Sequence, residues 1–303
     1  MMDFDAMFDA VKADRPVIKN GWYADLSNDD YHGSAGASSS VIKKFLNSTP
    51  AAVKQSLSEP NEPTPAMALG TAVHTLVLEP HKFDAEVAVM PELNLRTKDG
   101  REERDAFLEA SAGLAVITPE QFELAKAMAE SVLSNPTVKA LMDGAVCEHS
   151  IFWEQEIIDT ETGEVIAEQC KVRPDFIPRR FPVVADLKTT DDAGYSKYQR
   201  TIINFGYHIS AAMYLQGVNQ CRELLAKLGH ERCDTLVHIV VEKKPPYQVA
   251  IYELGEAFID IGLEKFKEGA LKMVRGRRDN WPAYGNEIRV IEPPNWAKNS
   301  EEI

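Results

Sequence analysis

Between Ala66 and Pro80 the chain reads AMALGTAVHTLVLEP, in which His74 and Glu79 are the only ionisable residues. So uniform an apolar run predicts a helix buried on all sides, because a surface helix would carry a polar stripe at its 3.6-residue period. Gly70 lies one turn before His74 on the same face, where a missing side chain would let another backbone come close. Upstream, Val41, Ile42, Phe45 and Leu46 recur at helical spacing behind Ser38, Ser39 and Ser40, so VIKKFLNSTPAAVKQSL is expected to be helical with a serine N-cap. Residues 1–20 read as a weakly amphipathic lead-in, 21–40 as loop, and Pro60, Pro63 and Pro65 as a break. TPEQFELAKAMAESVLSNP predicts a helix capped by Thr118, with Pro119 at its first position and a stripe of Phe122, Leu124, Ala125, Met128 and Val132.

Alternating and short apolar runs follow. Residues 145–158 and 164–171 predict strands joined by an ETG turn, leading into a hairpin over Lys171–Thr190 and so forming an antiparallel meander. Residues 195–219 and RELLAKLG are helical in pattern, TLVHIVVE and YQVAIYEL are strands around a KKPP turn, and FIDIGLEKFKEGALKMVRGRR is a long amphipathic helix. The stretch 83–113 predicts a solvated loop leading into a helix, with Arg96, Lys98, Arg101 and Arg104 interspersed among acids. The aromatic, proline-rich tail is expected to pack across the body. This order describes an α/β fold with a central mixed sheet and helices outside. It reads as one domain over 1–303, with 1–65 an N-terminal elaboration and 281–303 a packed tail.

Composition narrows the class. With 303 residues, 44% of them hydrophobic, the chain can bury a sizeable core. The first twenty residues place acids where a signal peptide has a basic region and an unbroken apolar core, and no window reaches the length of a membrane helix. The expected location is the cytoplasm, with no membrane partner. Cys147, Cys170, Cys221 and Cys233 form no C-x-x-C pair, so reduced, partly buried thiols are expected rather than a zinc or iron–sulfur site. A net charge of −14 disfavours nonspecific coating of nucleic acid but leaves room for a local basic channel.

The chemistry concentrates in KVRPDFIPRRFPVVADLKTT. Asp186 and Lys188, two apart on a strand, share one face, while Ala185 and Leu187 share the other. Asp175, across the turn, brings a second carboxylate. Two carboxylates holding Mg2+ beside a lysine suit hydrolysis of a phosphodiester. The bland alternative is a surface hairpin whose Asp186–Lys188 pair contributes roughly 0–1 kcal/mol. A second acid-x-Lys triplet, Glu242-Lys243-Lys244, has no upstream acid to match and reads as a solvated strand end. Taken alone, His74 is more often a hydrogen-bonded core histidine than a ligand, and the serines before Val41 are either a plain cap or a phosphate-contacting helix start.

The Pro174-Asp175 … Asp186-x-Lys188 pattern resembles the PD-(D/E)xK nuclease superfamily with its restriction-endonuclease-like core, and within it the RecE type (exonuclease VIII-like) of phage and prophage exonuclease. DDYHGSAGASSSVIKKFLNSTPAAV, GTAVHTLVLEP, VRPDFI with VVADLKTT, FGYHISAAMY and the closing AYGNEIRVIEPPNWA carry that resemblance, in order, across most of the chain. It implies that His74, Asp175, Asp186 and the Leu187 backbone carbonyl hold metal, and that Lys188 is the catalytic lysine. DNA contacts would fall to Ser39, Ser40, Arg173, Tyr207, Ser210 and Tyr214; Ser210 stands where the family commonly has a glutamine four residues before a tyrosine. Mg2+, replaceable by Mn2+, is the implied cofactor. The implied activity is metal-dependent degradation of one strand of linear double-stranded DNA, 5′ to 3′, leaving 3′ tails for recombination. Implied partners are DNA ends, a single-strand annealing protein and further copies of the chain in a ring-shaped homo-oligomer. A structure-specific DNA endonuclease, a noncatalytic DNA-binding module and a hydrolase of small phosphodiesters remain the rival readings.

Overall fold

The computed structural model describes residues 16–59 and 64–294. Most of the lead-in, Pro60, Pro63 and the end of the tail lie outside the described residues. The segment expected as loop holds a strand, β1 (Gly21–Tyr23), and a short helix, α1 (Asn28–Gly33), capped by Ser27. The helical run behind the serines is divided into α2 (Ser39–Asn47) and α3 (Pro50–Ser58). Pro50 cannot donate to α2's ladder, and Thr49 caps α3 by accepting from the Ala52 amide at 3.3 Å. Ile42, Phe45 and Val53 from these helices belong to the main apolar core, so this part of the N-terminal region is built into the body.

The apolar run forms α4 (Pro65–Leu78), which buries Leu69, Ala72, Val73, Val77 and Leu78. A Cβ at Gly70 would meet nothing within 4 Å, so the close backbone approach expected there is absent. After it come α5 (Phe83–Glu86), β2 (Val87–Val89), α6 (Lys98–Ala110), β3 (Ala115–Ile117), α7 (Pro119–Ser134) and α8 (Pro136–Met142). β2, inside the stretch read as solvated, pairs in parallel with β3 just beyond it, each too short for alternation to show in sequence. On α6, Lys98 pairs with Glu102 and Arg104 with Asp105, so neighbouring acids neutralise these cations. α7 begins with a full capping box between Thr118 and Gln121.

The sheets are built from β4 (Val146–Cys147), β5 (Ser150–Ile158), β6 (Val165–Val172), β7 (Phe176–Ile177), β8 (Val183–Thr190), β9 (Thr235–Glu242) and β10 (Val249–Glu253). Three helices, α9 (Tyr195–Asn204), α10 (Tyr207–Gln220) and α11 (Arg222–Leu228), connect β8 to β9, and α12 (Glu256–Arg278) closes the domain. The expected meander is split between two sheets. β5 and β6 pair antiparallel beside β1, whereas β7 and β8 enter a five-stranded sheet ordered β10-β9-β8-β7-β4, in which β8 and β9 run parallel. Only a long crossover can join parallel neighbours, and the three helices supply it.

Strand alternation divides the large sheet's residues between two helical layers. Ala185, Leu187, Val237, Ile239 and Val241 pack with α4 and α7, while Val184, Leu236 and Val240 pack with α10–α12. Asp186 and Lys188 have the parity of Val184 and therefore face the α10 layer.

Three glycines seven apart on α12 let that layer close. A Cβ at Gly262 would lie 2.0 Å from the His208 carbonyl oxygen, one at Gly269 2.7 Å from the Ile42 side chain, and one at Gly276 2.9 Å from Pro50. Gly262→Ala is expected to destabilise the fold by about 2 kcal/mol, overpacking outweighing the gain in helix propensity. A urea midpoint unchanged or raised would show that α12 can shift freely. Packing ends at Trp281, which sits against Phe45, and at the Pro282 carbonyl, which accepts from the Ala51 amide. Beyond it the described tail residues, 283–294, are exposed, whereas the composition predicts a tail packed on the body. Tyr284 is 87% and Ile288 102% exposed, and residues 283–294 join no helix or strand.

Candidate active site

Two groups of polar side chains meet at the end of β7. On the α10 side, Lys188 Nζ pairs with Asp186 Oδ2, both within the sheet layer. His238 stands opposite Asp186 in the parallel register, its Nε2 3.5 Å from the same oxygen, and its Nδ1 lies 3.0 Å from the Tyr198 hydroxyl. Burial pushes the His238 pKa down to about 4, so the ring is neutral. A Tyr198 hydroxyl donating to Nδ1 leaves the Nε2–H toward the carboxylate; the other tautomer would set a lone pair against it. Burial disfavours ionised Asp186, but Lys188 and then His238 outweigh it and hold its pKa below the usual carboxylate value. Burial likewise opposes the Lys188 charge, and Asp186 and Asp175 overcome it to raise that pKa. Asp186 Oδ1 is buried without a hydrogen-bond partner among the described residues.

On the other side, His74 from α4 places Nδ1 3.3 Å from Asp175 Oδ2, and the Leu187 amide donates to that same oxygen at 2.5 Å. This bond ties Asp175 to β8 between Asp186 and Lys188. In an extended strand a residue's N–H and C=O leave from the same edge, so the Leu187 carbonyl is on Asp175's edge. Glu148, between β4 and β5, completes the group: ligand atoms of His74, Glu148 and Asp175 all lie within 4.8 Å of one another. Burial first, and then mutual repulsion with Asp175, raises the Glu148 pKa well above normal; burial also raises that of Asp175. Glu148 adopts φ 53, a left-handed conformation that costs a non-glycine residue about 1–3 kcal/mol. Its amide donates to the Asp175 carbonyl at 2.9 Å, which fixes the kink where the chain leaves one sheet for the other.

Two crowded carboxylates, Glu148 and Asp175, with the His74 imidazole, and the orphaned buried oxygen of Asp186 across the Asp175–Leu187 bond, form a donor set suited to a hard divalent cation. His74, Glu148, Asp175 and Asp186 could hold it. Glu148 and His238 are not among the residues the sequence pattern singles out. The signal for the first was an acid just before the apolar stretch Ile151–Trp153 of the predicted strand 145–158; His238 carries no local signal, because only the β8–β9 register sets it opposite Asp186.

The implied DNA contacts divide. Tyr207 lies 5.0 Å from Lys188 Nζ at its ring centroid and edge-on to His238. Ser210 donates to Ser39 at 3.1 Å, joining α10 to the start of α2, while Ser40 pairs with Ser38. Tyr214, its pKa raised by burial and then by Asp186 and Asp175, lies in the same layer. Arg173 is placed differently from the expectation of a DNA contact. It donates to the Ser150 hydroxyl, Asn28 Oδ1 and the Leu26 and Ser27 carbonyls, and stacks 4.4 Å over Tyr31, so its donors anchor the N-terminal segment. The decoy Glu242 accepts from the Ala193 amide at 2.8 Å and stands apart from the clustered ligands.

This sandwiched mixed sheet with its acid, acid-x-lysine core defines the class of PD-(D/E)xK nucleases, which depend on divalent metal. The chain belongs to a particular family of that class: residues 38–293 match the PDDEXK-like domain of unknown function (DUF3799). Among curated proteins none matches. A crystal structure from Eubacterium rectale, named as a candidate exonuclease, is similar at 14% identity, covering 92% of this chain and 99% of that one with a TM-score of 0.55. That likeness supports the fold. The crystal structure of SSO0001 is 18% identical over 75% of this chain and 83% of its own, and its TM-score of 0.27 carries no argument. Among the described residues no helix is long and apolar enough to cross a membrane.

Proposed function

We propose that the protein is an exonuclease that degrades one strand of linear double-stranded DNA from its 5′ end, leaving 3′ single-stranded tails for recombination. The observation that carries this reading is buried Asp186 paired with half-buried Lys188, set beside His74, Glu148 and Asp175 through the Asp175–Leu187 bond. A divalent ion held by these groups supplies charge neutralisation at the scissile phosphate and activation of water. Lys188 orients the attacking water and offsets charge developing on the phosphoryl oxygens. His238 and Tyr198 keep the Asp186 carboxylate aimed. Ser39, Ser40, Ser210, Tyr207 and Tyr214 line the approach of the DNA strand.

The 5′ to 3′ polarity, the recombination role, a bacterial cytoplasmic setting, a single-strand annealing partner and a ring-shaped homo-oligomer rest on the resemblance to RecE-type exonucleases. A ring would confine DNA to a channel while the acidic exterior of a chain of net charge −14 stays away from it. The test is purified protein with Mg2+ on duplexes labelled at either end, beside covalently closed circles. Loss of 5′ label from linear DNA with circles intact is expected; nicked circles would instead favour the structure-specific endonuclease. Mn2+ is expected to support at least the Mg2+ rate, since the donor set includes an imidazole. Activity with Mg2+ and none with Mn2+ would count against His74 as a ligand.

A further inference from the structure

Phe205 ends α9 and is 63% exposed, yet its ring is held in place. It stacks on Tyr207 with centroids 5.6 Å apart and planes 20° from parallel, and Tyr207 in turn stands beside Lys188. Its carbonyl accepts from Lys43 Nζ at 3.2 Å. The next residue, Gly206, takes φ +64, and a Cβ there would come 2.9 Å from Lys43 Cδ, so neither the turn nor the clamp tolerates a side chain. A lone exposed phenylalanine needs no explanation. A ring stacked at the outer end of a row that leads to the site's lysine, on a backbone held by Lys43, does.

The geometry points to Phe205, backed by Tyr207, as a stacking platform for an unpaired nucleobase next to the scissile phosphate. This assignment rests on the nuclease reading of the site and adds the subsite that receives the base. Aromatic faces bind any base, because every base has a π-face, so the platform is indifferent to sequence, as a degrading enzyme requires. Lys43, clamped to the Phe205 carbonyl and 5.9 Å from the Tyr207 centroid, sets a cation beside the stack for the nucleotide's phosphate. Stacking of the displaced base replaces the neighbour it loses when the duplex end opens, so a single strand is favoured at the site.

The test uses a forked duplex carrying 2-aminopurine at its unpaired 5′ end, with Ca2+ in place of Mg2+ so that binding is read without turnover. The parent is expected to quench the 2-aminopurine on binding. Phe205→Ala should lose the quench and bind the fork about tenfold more weakly. Phe205→Trp should keep both properties, and melting temperature should be unchanged in each variant because the ring is exposed. Phe205→Ala that binds the fork within about twofold of the parent, with the same quench, overturns the platform. If the parent cleaves linear duplex under Mg2+, only the platform then falls; a parent that neither cleaves nor binds DNA overturns the platform and the nuclease reading together.

Discussion

Asp186→Asn is expected to slow DNA cleavage by about 10³-fold or more while leaving the fold intact. Asparagine keeps the shape beside His238 and removes the charge that faces Lys188, and Lys188, 18% exposed in its side chain, can turn toward water. Lys188→Met should abolish cleavage too, but at a different structural cost. It leaves the Asp186 carboxylate buried opposite a neutral imidazole, and stranding one member of a buried ion pair costs about 3–5 kcal/mol. The double variant Asp186→Asn/Lys188→Met should regain most of that stability, a coupling that a denaturant-unfolding cycle in chelator would measure. Cleavage by Asp186→Asn within about tenfold of the parent would remove Asp186 from the site. Equal unfolding midpoints for Lys188→Met and the parent would show that the pair is not desolvated.

Glu148→Gln is expected to have opposite effects on stability with and without metal. Without metal, burial and then the neighbouring Asp175 disfavour an ionised Glu148, as its raised pKa records, so neutralising Glu148 should raise the melting temperature. With Mn2+ at about a hundred times its dissociation constant, the parent should gain about 2.7 kcal/mol, a rise of roughly 4 °C, and Glu148→Gln should gain little of it. Thermal unfolding with Mn2+ and with chelator checks both signs. The same metal-induced rise in Glu148→Gln and the parent would exclude Glu148 as a ligand. Retaining an acid in a left-handed, mutually repelling position is the kind of stability cost that functional sites carry.

How far the site was legible follows from how local each part is. Asp186 and Lys188 could be paired from strand periodicity, since their shared face depends on two residues of spacing and nothing else. Asp175 was legible in chain order, although the bond that fixes it, to the Leu187 amide, depends on β7 ending where it does. His74 stood out as an ionisable residue in an apolar helix. Its pairing with Asp175 arises from α4 packing on the sheet face lined by Ala185 and Leu187. Arg173, a basic residue beside the motif, looks free in sequence, whereas four acceptors from residues 26–28 and 150 converge on it only after folding.

By itself the sequence determined what depends on short-range periodicity and capping. That includes the buried α4, the Thr118 capping box of α7, strands β8 and β9, the long helix α12, and the order of His74, Asp175, Asp186 and Lys188. Tertiary structure alone decided what depends on pairing between distant segments: the division of the meander into two sheets, the placing of His238 against Asp186, and the kink that aims Glu148 at Asp175. It also decided that Gly206 separates α9 from α10 and leaves Phe205 exposed and stacked on Tyr207. The reason is that a strand's own pattern specifies which residues share a face, while its partner and register come from burial summed over both helical layers. Such burial has no signature in any single stretch of chain.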